Sequence, residues 1–245
     1  MCPGLIPKGH PADPEFMVKF NRQFEPSKIQ LLIFDLDGTL VDSRLDLVHS
    51  VNAMLRNFGR PELPDDVIAT YVGDGAPMLV RRALGDPEDG ALLADGLEYF
   101  LSYYREHKLD FTHVYDGVQE MLAAIENSNH GPRRRMAVLS NKPVNPSRAI
   151  VEALGLKPFF STVYGGNSFT TKKPDPLGAE TILKELGGIP EKTLIVGDSD
   201  NDILTGRNAG LWTCGVTYGF APQTLEEAPP DVLVDSPQDL RSLFS

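Results

Sequence analysis

Two aspartates separated by one residue, Asp35 and Asp37, are followed at once by Gly38 and Thr39. A second acidic run, Asp198-Ser199-Asp200-Asn201-Asp202, lies far along the chain, and Ser140-Asn141-Lys142 and Lys172-Lys173-Pro174-Asp175-Pro176 fall between the two. A carboxylate can attack phosphorus and form an acyl phosphate. A second carboxylate nearby can protonate the leaving oxygen and later deprotonate a water. By position, Asp35 suits the first role and Asp37 the second. Two like charges about 5 Å apart repel by roughly 3 kcal/mol at an effective dielectric near 20, so several ionised aspartates in one place call for a cation. A hard divalent ion with oxygen ligands meets that need, and Mg2+ is the usual choice where a phosphate shares the coordination sphere. Lys173 adds positive charge, and Ser140 and Asn141 add hydrogen-bond donors. Together these groups describe a phosphoryl-transfer site. Aspartates also cap helices and turn the chain; the first stretch already favours chemistry over that, and four clusters in this order favour it further.

The elements that must hold these residues can be read from the apolar runs. Leu31-Leu32-Ile33-Phe34, Met136-Ala137-Val138-Leu139 and Thr193-Leu194-Ile195-Val196 are short and do not alternate, as expected of central strands covered on both faces. Each ends directly before one of the polar clusters, and the fourth cluster follows a shorter strand around Val163-Tyr164. Helical spacing marks Val118–Ile125, Ile150–Leu154 and Leu177–Leu186. Strand and helix alternate, which predicts a doubly wound, Rossmann-like α/β core with a parallel sheet. Ligands of such sheets bind beyond the carboxyl ends of the strands, so the clusters should converge at one edge. About 100 residues separate the first two strands, far more than one crossover needs. Leu45, Val48, Val51, Leu55 and Phe58 form one amphipathic stripe there, and Leu93, Leu97, Phe100, Leu101 and Tyr104 a second. We read 44–113 as an inserted helical cap whose stripes pack its interior, with 30–43 and 114–245 as the core. Residues 1–29 hold five of the 20 prolines and read as an extended tail, in which Met17 offers an alternative start. Arg133 to Arg135 read as a solvated turn, and Leu211–Val216 as a further strand.

Composition narrows the partners. Of 245 residues, 23 are Lys or Arg and 34 Asp or Glu, a net charge of −11. Such a chain is repelled by nucleic acid and by anionic lipid, so neither is an expected partner. No apolar run reaches membrane-spanning length, and no secretory signal is visible at the start. Cys2 and Cys214 are too few for a disulfide scaffold and suit the cytoplasm.

The stretches DLDGTLVDS, LSNK, KKPDP and VGDSDND resemble the four ordered motifs of the haloacid dehalogenase-like hydrolases, over roughly 30–243. The resemblance implies a phosphatase or phosphomutase with a small helical cap of the C1 type after the first motif. It implies Asp35 as nucleophile and Asp37 as general acid and base, and makes Ser140 a ligand of the transferring phosphoryl group, with Asn141 and Thr39 alongside. Lys173 would neutralise that group and Asp35. Asp198 would ligate Mg2+ with Asp35 and the Asp37 carbonyl, and Asp202 would support the metal or its waters. In the cap, Tyr71–Ala76 and Arg82-Ala83-Leu84 resemble phosphoglycolate phosphatases. Arg82, ahead of Arg81, is expected to face the site and read the substrate's anionic end. Asp74 stands where that branch often carries asparagine, and its extra charge is expected to disfavour a carboxylate-bearing substrate. The expected activity is hydrolysis of a small-molecule phosphate ester, phosphoglycolate first, by a monomer or homodimer. Pyrophosphatase and sugar-phosphate phosphatase or β-phosphoglucomutase-like activities are the alternatives, and a catalytically idle binding protein on the same fold is the reading from another class.

Overall fold

The computed structural model describes residues 18–127 and 133–244. In chain order the elements are β1 (Val18–Phe20), β2 (Leu31–Phe34), β3 (Val41–Asp42), α1 (Arg44–Asn57), α2 (Asp65–Ala69), α3 (Ala76–Ala83), α4 (Gly90–His107), β4 (His113–Val114) and α5 (Val118–Asn127). They continue with β5 (Arg135–Leu139), α6 (Val144–Ala153), β6 (Thr162–Tyr164), α7 (Leu177–Leu186), β7 (Thr193–Gly197), α8 (Asp200–Asn208), β8 (Trp212–Val216), β9 (Val232–Val234) and α9 (Pro237–Ser242).

The three apolar runs sit side by side in a seven-stranded sheet of order β1-β9-β8-β7-β2-β5-β6. Phe34 pairs in parallel register with both Val138 and Val196, so the residues that follow these strands emerge at the same edge. The missing alternation has the expected cause. Leu32 and Phe34 face one apolar layer with α5, α6 and α9, while Leu31 and Ile33 face another with α7. Both faces are covered, so every position of β2 is buried.

The strand nearest the chain start corrects the tail reading for residues 18–29. β1 pairs antiparallel with β9, Val18 opposite Val234, and adds a strand of opposite direction to a parallel sheet. Phe24 is buried and meets Trp212 edge-on at 5.4 Å, and Pro26–Lys28 make a single 3-10 turn. Residues ahead of Val18 lie outside the described part of the chain, as do 128–132. Arg134 departs from the solvated turn expected of it. It is buried, its Nε donates to the Ile29 carbonyl at 3.3 Å, and its guanidinium lies 4.8 Å from the centre of the Phe244 ring.

Helices α1 to α4 enclose their own apolar cluster, including Val51, Met54, Ile68, Val80 and Phe100. Gly96 lets α4 lie close on α3, because a Cβ there would come within 2.9 Å of Leu84. The chain leaves the core through β3 and returns through β4, which pair with Asp42 opposite His113. The buried Asp46 carboxylate fastens this crossing, accepting from the Phe111 and Thr112 amides and, at 2.6 Å, from the Thr112 hydroxyl.

The Phe24 contact generates a test. Phe24→Ala should lower unfolding free energy by about 3 kcal/mol in urea denaturation, the usual cost of emptying a large aromatic site. A change below about 0.5 kcal/mol would return the segment ahead of Pro26 to the status of a tail.

Candidate active site

Asp35 directly follows β2, and its amide donates to the Val196 carbonyl at 2.9 Å, so the neighbouring strand β7 fixes it. The turn beyond it closes when the Gly38 amide donates to the Val41 carbonyl. Gly38 has a φ of +81°, and a Cβ there would lie 2.2 Å from Asp198 Oδ2, so only glycine fits between the two acidic loops. Asp37 is held from two sides: Ser43 Oγ donates to it at 2.5 Å, and Lys142 Nζ reaches both its oxygens at 3.0 and 2.9 Å.

Lys173 bridges two carboxylates, with Nζ 2.9 Å from Asp35 Oδ1 and 2.6 Å from Asp202 Oδ1. The second oxygen of Asp202 accepts from the Ser199 hydroxyl and amide, which also caps α8. Asp202 is completely buried, and a Cβ on Gly197 would strike it. Asp198 Oδ2 accepts from the Phe220 amide at 2.6 Å and the Ala221 amide at 3.3 Å.

Asp35, Asp198 and Asp202 can each offer an oxygen within 4.8 Å of the others. With Asp37 the ionised site carries four negative charges, and Lys142 and Lys173 return two, leaving two unbalanced. Burial, with Asp202 and Asp37 adding repulsion against the pull of Lys173, pushes Asp35 up to about 6. Burial, with repulsion from Asp202 and Asp35, pushes Asp198 up to about 8 despite its two amide donors. Lys173 is raised as well, for a different reason: burial would lower it, but Asp202 and Asp35 outweigh that. Two surplus negative charges on buried oxygens are what a hard divalent cation would balance, so the donor set fits one.

The cleft above is walled by Asp35, Asp37, Ser140, Asn141, Lys142 and Asp198 below, and by Leu47, Leu79, Phe100, Leu101 and Tyr104 of the cap. The stripe on α4 therefore does more than pack the cap. Phe100 and Tyr104 belong to the cap cluster and also face the cleft.

Not every expected residue reaches this wall. Thr39 is buried, its carbonyl accepts from Tyr218 Oη at 3.0 Å, and it is not among the residues bordering the cleft. Asn141 borders the cleft, but both hydrogens of its amide are spent within the protein, on the Gly73 carbonyl at 2.9 Å and the Lys173 carbonyl at 3.1 Å. Arg82 does not face the site: its guanidinium donates to Asp74 at 2.6 Å and to the Tyr71 carbonyl at 3.2 Å. Asp74 in turn accepts from Asn201 of α8 at 3.0 Å, and Lys172 donates to its carbonyl. Burial alone would raise the Asp74 carboxyl, but Asn201, Arg82 and Lys172 hold it below its ordinary value. The expected repulsion between Asp74 and a substrate carboxylate is thus corrected, because the charge is paired and turned away from the cleft. Lys142, to which the sequence alone assigns no role, lines the cleft and pairs with Asp37.

Residues 32–216 match the family of haloacid dehalogenase-like hydrolases. The chain belongs to this family and is a phosphatase within it. It is 36% identical over 234 residues to a phosphoglycolate phosphatase of Pseudomonas syringae, covering 93% of this chain and 83% of the relative. A phosphoglycolate phosphatase of Haemophilus influenzae is 34% identical over 226 residues, covering 89% and 99%. A crystal structure from Haemophilus somnus, described as a predicted phosphoglycolate phosphatase, superposes with a TM-score of 0.82 at 30% identity, covering 89% of this chain and 99% of that one. Among the described residues, no helix is long and apolar enough to cross a membrane.

Two tests follow from this geometry. Asp35 and Asp198 titrate higher in the folded chain than in the unfolded one, so the folded state keeps protons that the unfolded state releases. Stability of the cation-free protein should therefore fall as pH rises from near 3.8 through about 6 and about 8, and added Mg2+ should raise Tm more at pH 8 than at pH 5. A cation-free Tm that climbs across this window would exclude an uncompensated cluster. Separately, Arg82→Ala should change kcat/KM for phosphate esters with and without a carboxylate by the same factor, within about threefold. A loss confined to the carboxylate-bearing esters would put Arg82 back at the cleft.

Proposed function

We propose that the chain hydrolyses a small phosphate monoester through a phosphoryl-aspartate on Asp35, with Asp37 as acid and base. The observation that carries this reading is the pair itself, two carboxylates on one turn beside one cleft, each held by a buried lysine. A carboxylate oxygen of Asp35 bonds to phosphorus while the bond from phosphorus to the ester oxygen breaks, and Asp37 gives that oxygen a proton. Asp37, now a carboxylate, takes a proton from water, whose oxygen bonds to phosphorus as the bond to Asp35 breaks. Inorganic phosphate leaves, Asp35 is a carboxylate again, and Asp37 has its proton back.

Ser140, buried at the end of β5, donates to the phosphoryl oxygens, and Lys173 neutralises charge on Asp35 and on the group it receives. Mg2+, held by Asp35, Asp198 and the Asp37 carbonyl, would offset the charge shared by the carboxylates and the phosphoryl group. Asp202 serves it indirectly, because both of its oxygens are engaged by Lys173 and Ser199. Residues 44–113 form the cap that covers the reaction and excludes water. The buried, unpaired Cys214 suits a cytoplasmic setting.

Phosphoglycolate is the first substrate to test, since it names the relatives that match nearly the whole chain. Asp35→Asn should lower kcat on the order of 10^4-fold, and EDTA should abolish turnover of any ester the enzyme accepts. Turnover that survives either change would exclude the aspartyl-phosphate route. A panel of phosphate esters ranked by kcat/KM decides the substrate, and a low rank for phosphoglycolate would remove it.

A further inference from the structure

We propose that Lys142 is a positioning residue for Asp37, and that the ring of Tyr104 completes this arrangement from the cap. The inference rests on reading Asp37 as the acid and base of the reaction.

Lys142 follows β5, 105 residues along the chain from Asp37, and only 6% of it is exposed. Its ammonium meets both oxygens of Asp37, at 3.0 and 2.9 Å, while Ser43 at the start of α1 holds one of them. A carboxylate on a short turn can otherwise rotate about its last bond. Donors from two directions remove that freedom and leave Asp37 aimed along one line beside the cleft. Lys142 is therefore already engaged by Asp37, unlike Lys173, which serves Asp35 and Asp202.

The same ammonium lies over an aromatic ring. Lys142 Nζ lies 4.6 Å from the centre of the Tyr104 ring, a cation–π distance. Tyr104 belongs to α4, is 3% exposed, and stacks on Phe100 at 5.8 Å, so the cap's own interior sets its place. Asp37, Lys142 and Tyr104 all border the one cleft. Core and cap thus meet on a single ammonium, which touches both the Asp37 carboxylate and the Tyr104 ring. Lifting α4 away would leave that ammonium open to water and weaken its hold on Asp37. Covering the substrate and fixing the acid would then be one event.

The test uses leaving groups. An alkyl phosphate needs its departing oxygen protonated, whereas 4-nitrophenyl phosphate leaves as a stable phenolate and needs little help. Lys142→Met should lower kcat on the best alkyl ester by about 100-fold, within the usual range for losing a positioned acid, and on 4-nitrophenyl phosphate by less than a tenth of that factor. Tyr104→Leu should show the same bias with a smaller loss, and Tyr104→Phe, which keeps the ring, should recover most of it. If Lys142→Met does not fold, Lys142→Gln is measured instead, with the same bias expected. Equal losses on both esters, or none, would overturn the role of Lys142. An unbiased Tyr104→Leu would overturn the role of the cap. Asp37→Asn is the control: without leaving-group bias there, the reading of Asp37 fails first, independently of Lys142.

Discussion

Four carboxylates brought to one end of a parallel sheet is an arrangement that water opposes, and the ion pairs of Lys173 make it tenable within the protein. One buried ammonium bridges Asp35, at the end of β2, and Asp202, in the first turn of α8. Isolated, each of these charges would be expensive to bury. Together they tie the first acidic loop to the last. The glycines around them are constrained by the same crowding. Gly38 and Gly197 stand where any Cβ would strike Asp198 or Asp202, so backbone and carboxylates share one tightly filled space. Burial, with repulsion among the carboxylates, still raises Asp35 and Asp198.

The cap is fastened to this edge by its Gly73–Gly75 turn. Asn141, Lys172 and Asn201 each bond to Gly73 or Asp74, and they come from the loop after β5, the loop after β6 and the start of α8. Every one of these loops also carries residues of the polar site. Arg82 completes the fastening from within the cap by pairing with Asp74. Position 74 is thus better understood as a joint than as a reader of substrate. The cleft that remains has a polar floor and an apolar roof, so it separates the part of a substrate that reacts from the part that merely fits.

The sheet, the helical insertion and the polar clusters were legible in the sequence because each is written in contiguous residues. An unbroken apolar run such as Leu31–Phe34 needs both faces covered, and the clusters follow these runs directly. What was not legible depended on partners far apart. Val18–Phe20 is too short a segment to announce a strand, and its pairing with β9 lies more than 200 residues away in the chain. Lys142 sits in a recognisable cluster, but its meaning comes from Asp37 and Tyr104. Arg82 occupies a helix face in either reading, and only the fold shows that Asp74, on the preceding turn, takes its charge. The α4 stripe misled for a related reason: helical spacing says that Phe100 and Tyr104 are covered, not whether cap interior or cleft covers them.

The ribbon of β3 and β4 has a consequence for how such a molecule can change. Asp42 and His113 are bonded neighbours, and Asp46 ties Phe111 and Thr112 to the start of α1. To the core, everything between is a closed excursion whose two ends already meet. Its length barely alters the entropy of closing it, since that cost grows only with the logarithm of loop size. The roof can therefore be lengthened, shortened or exchanged while the machinery beneath stays intact, and the ribbon is the seam along which one chemistry could be fitted to many substrates.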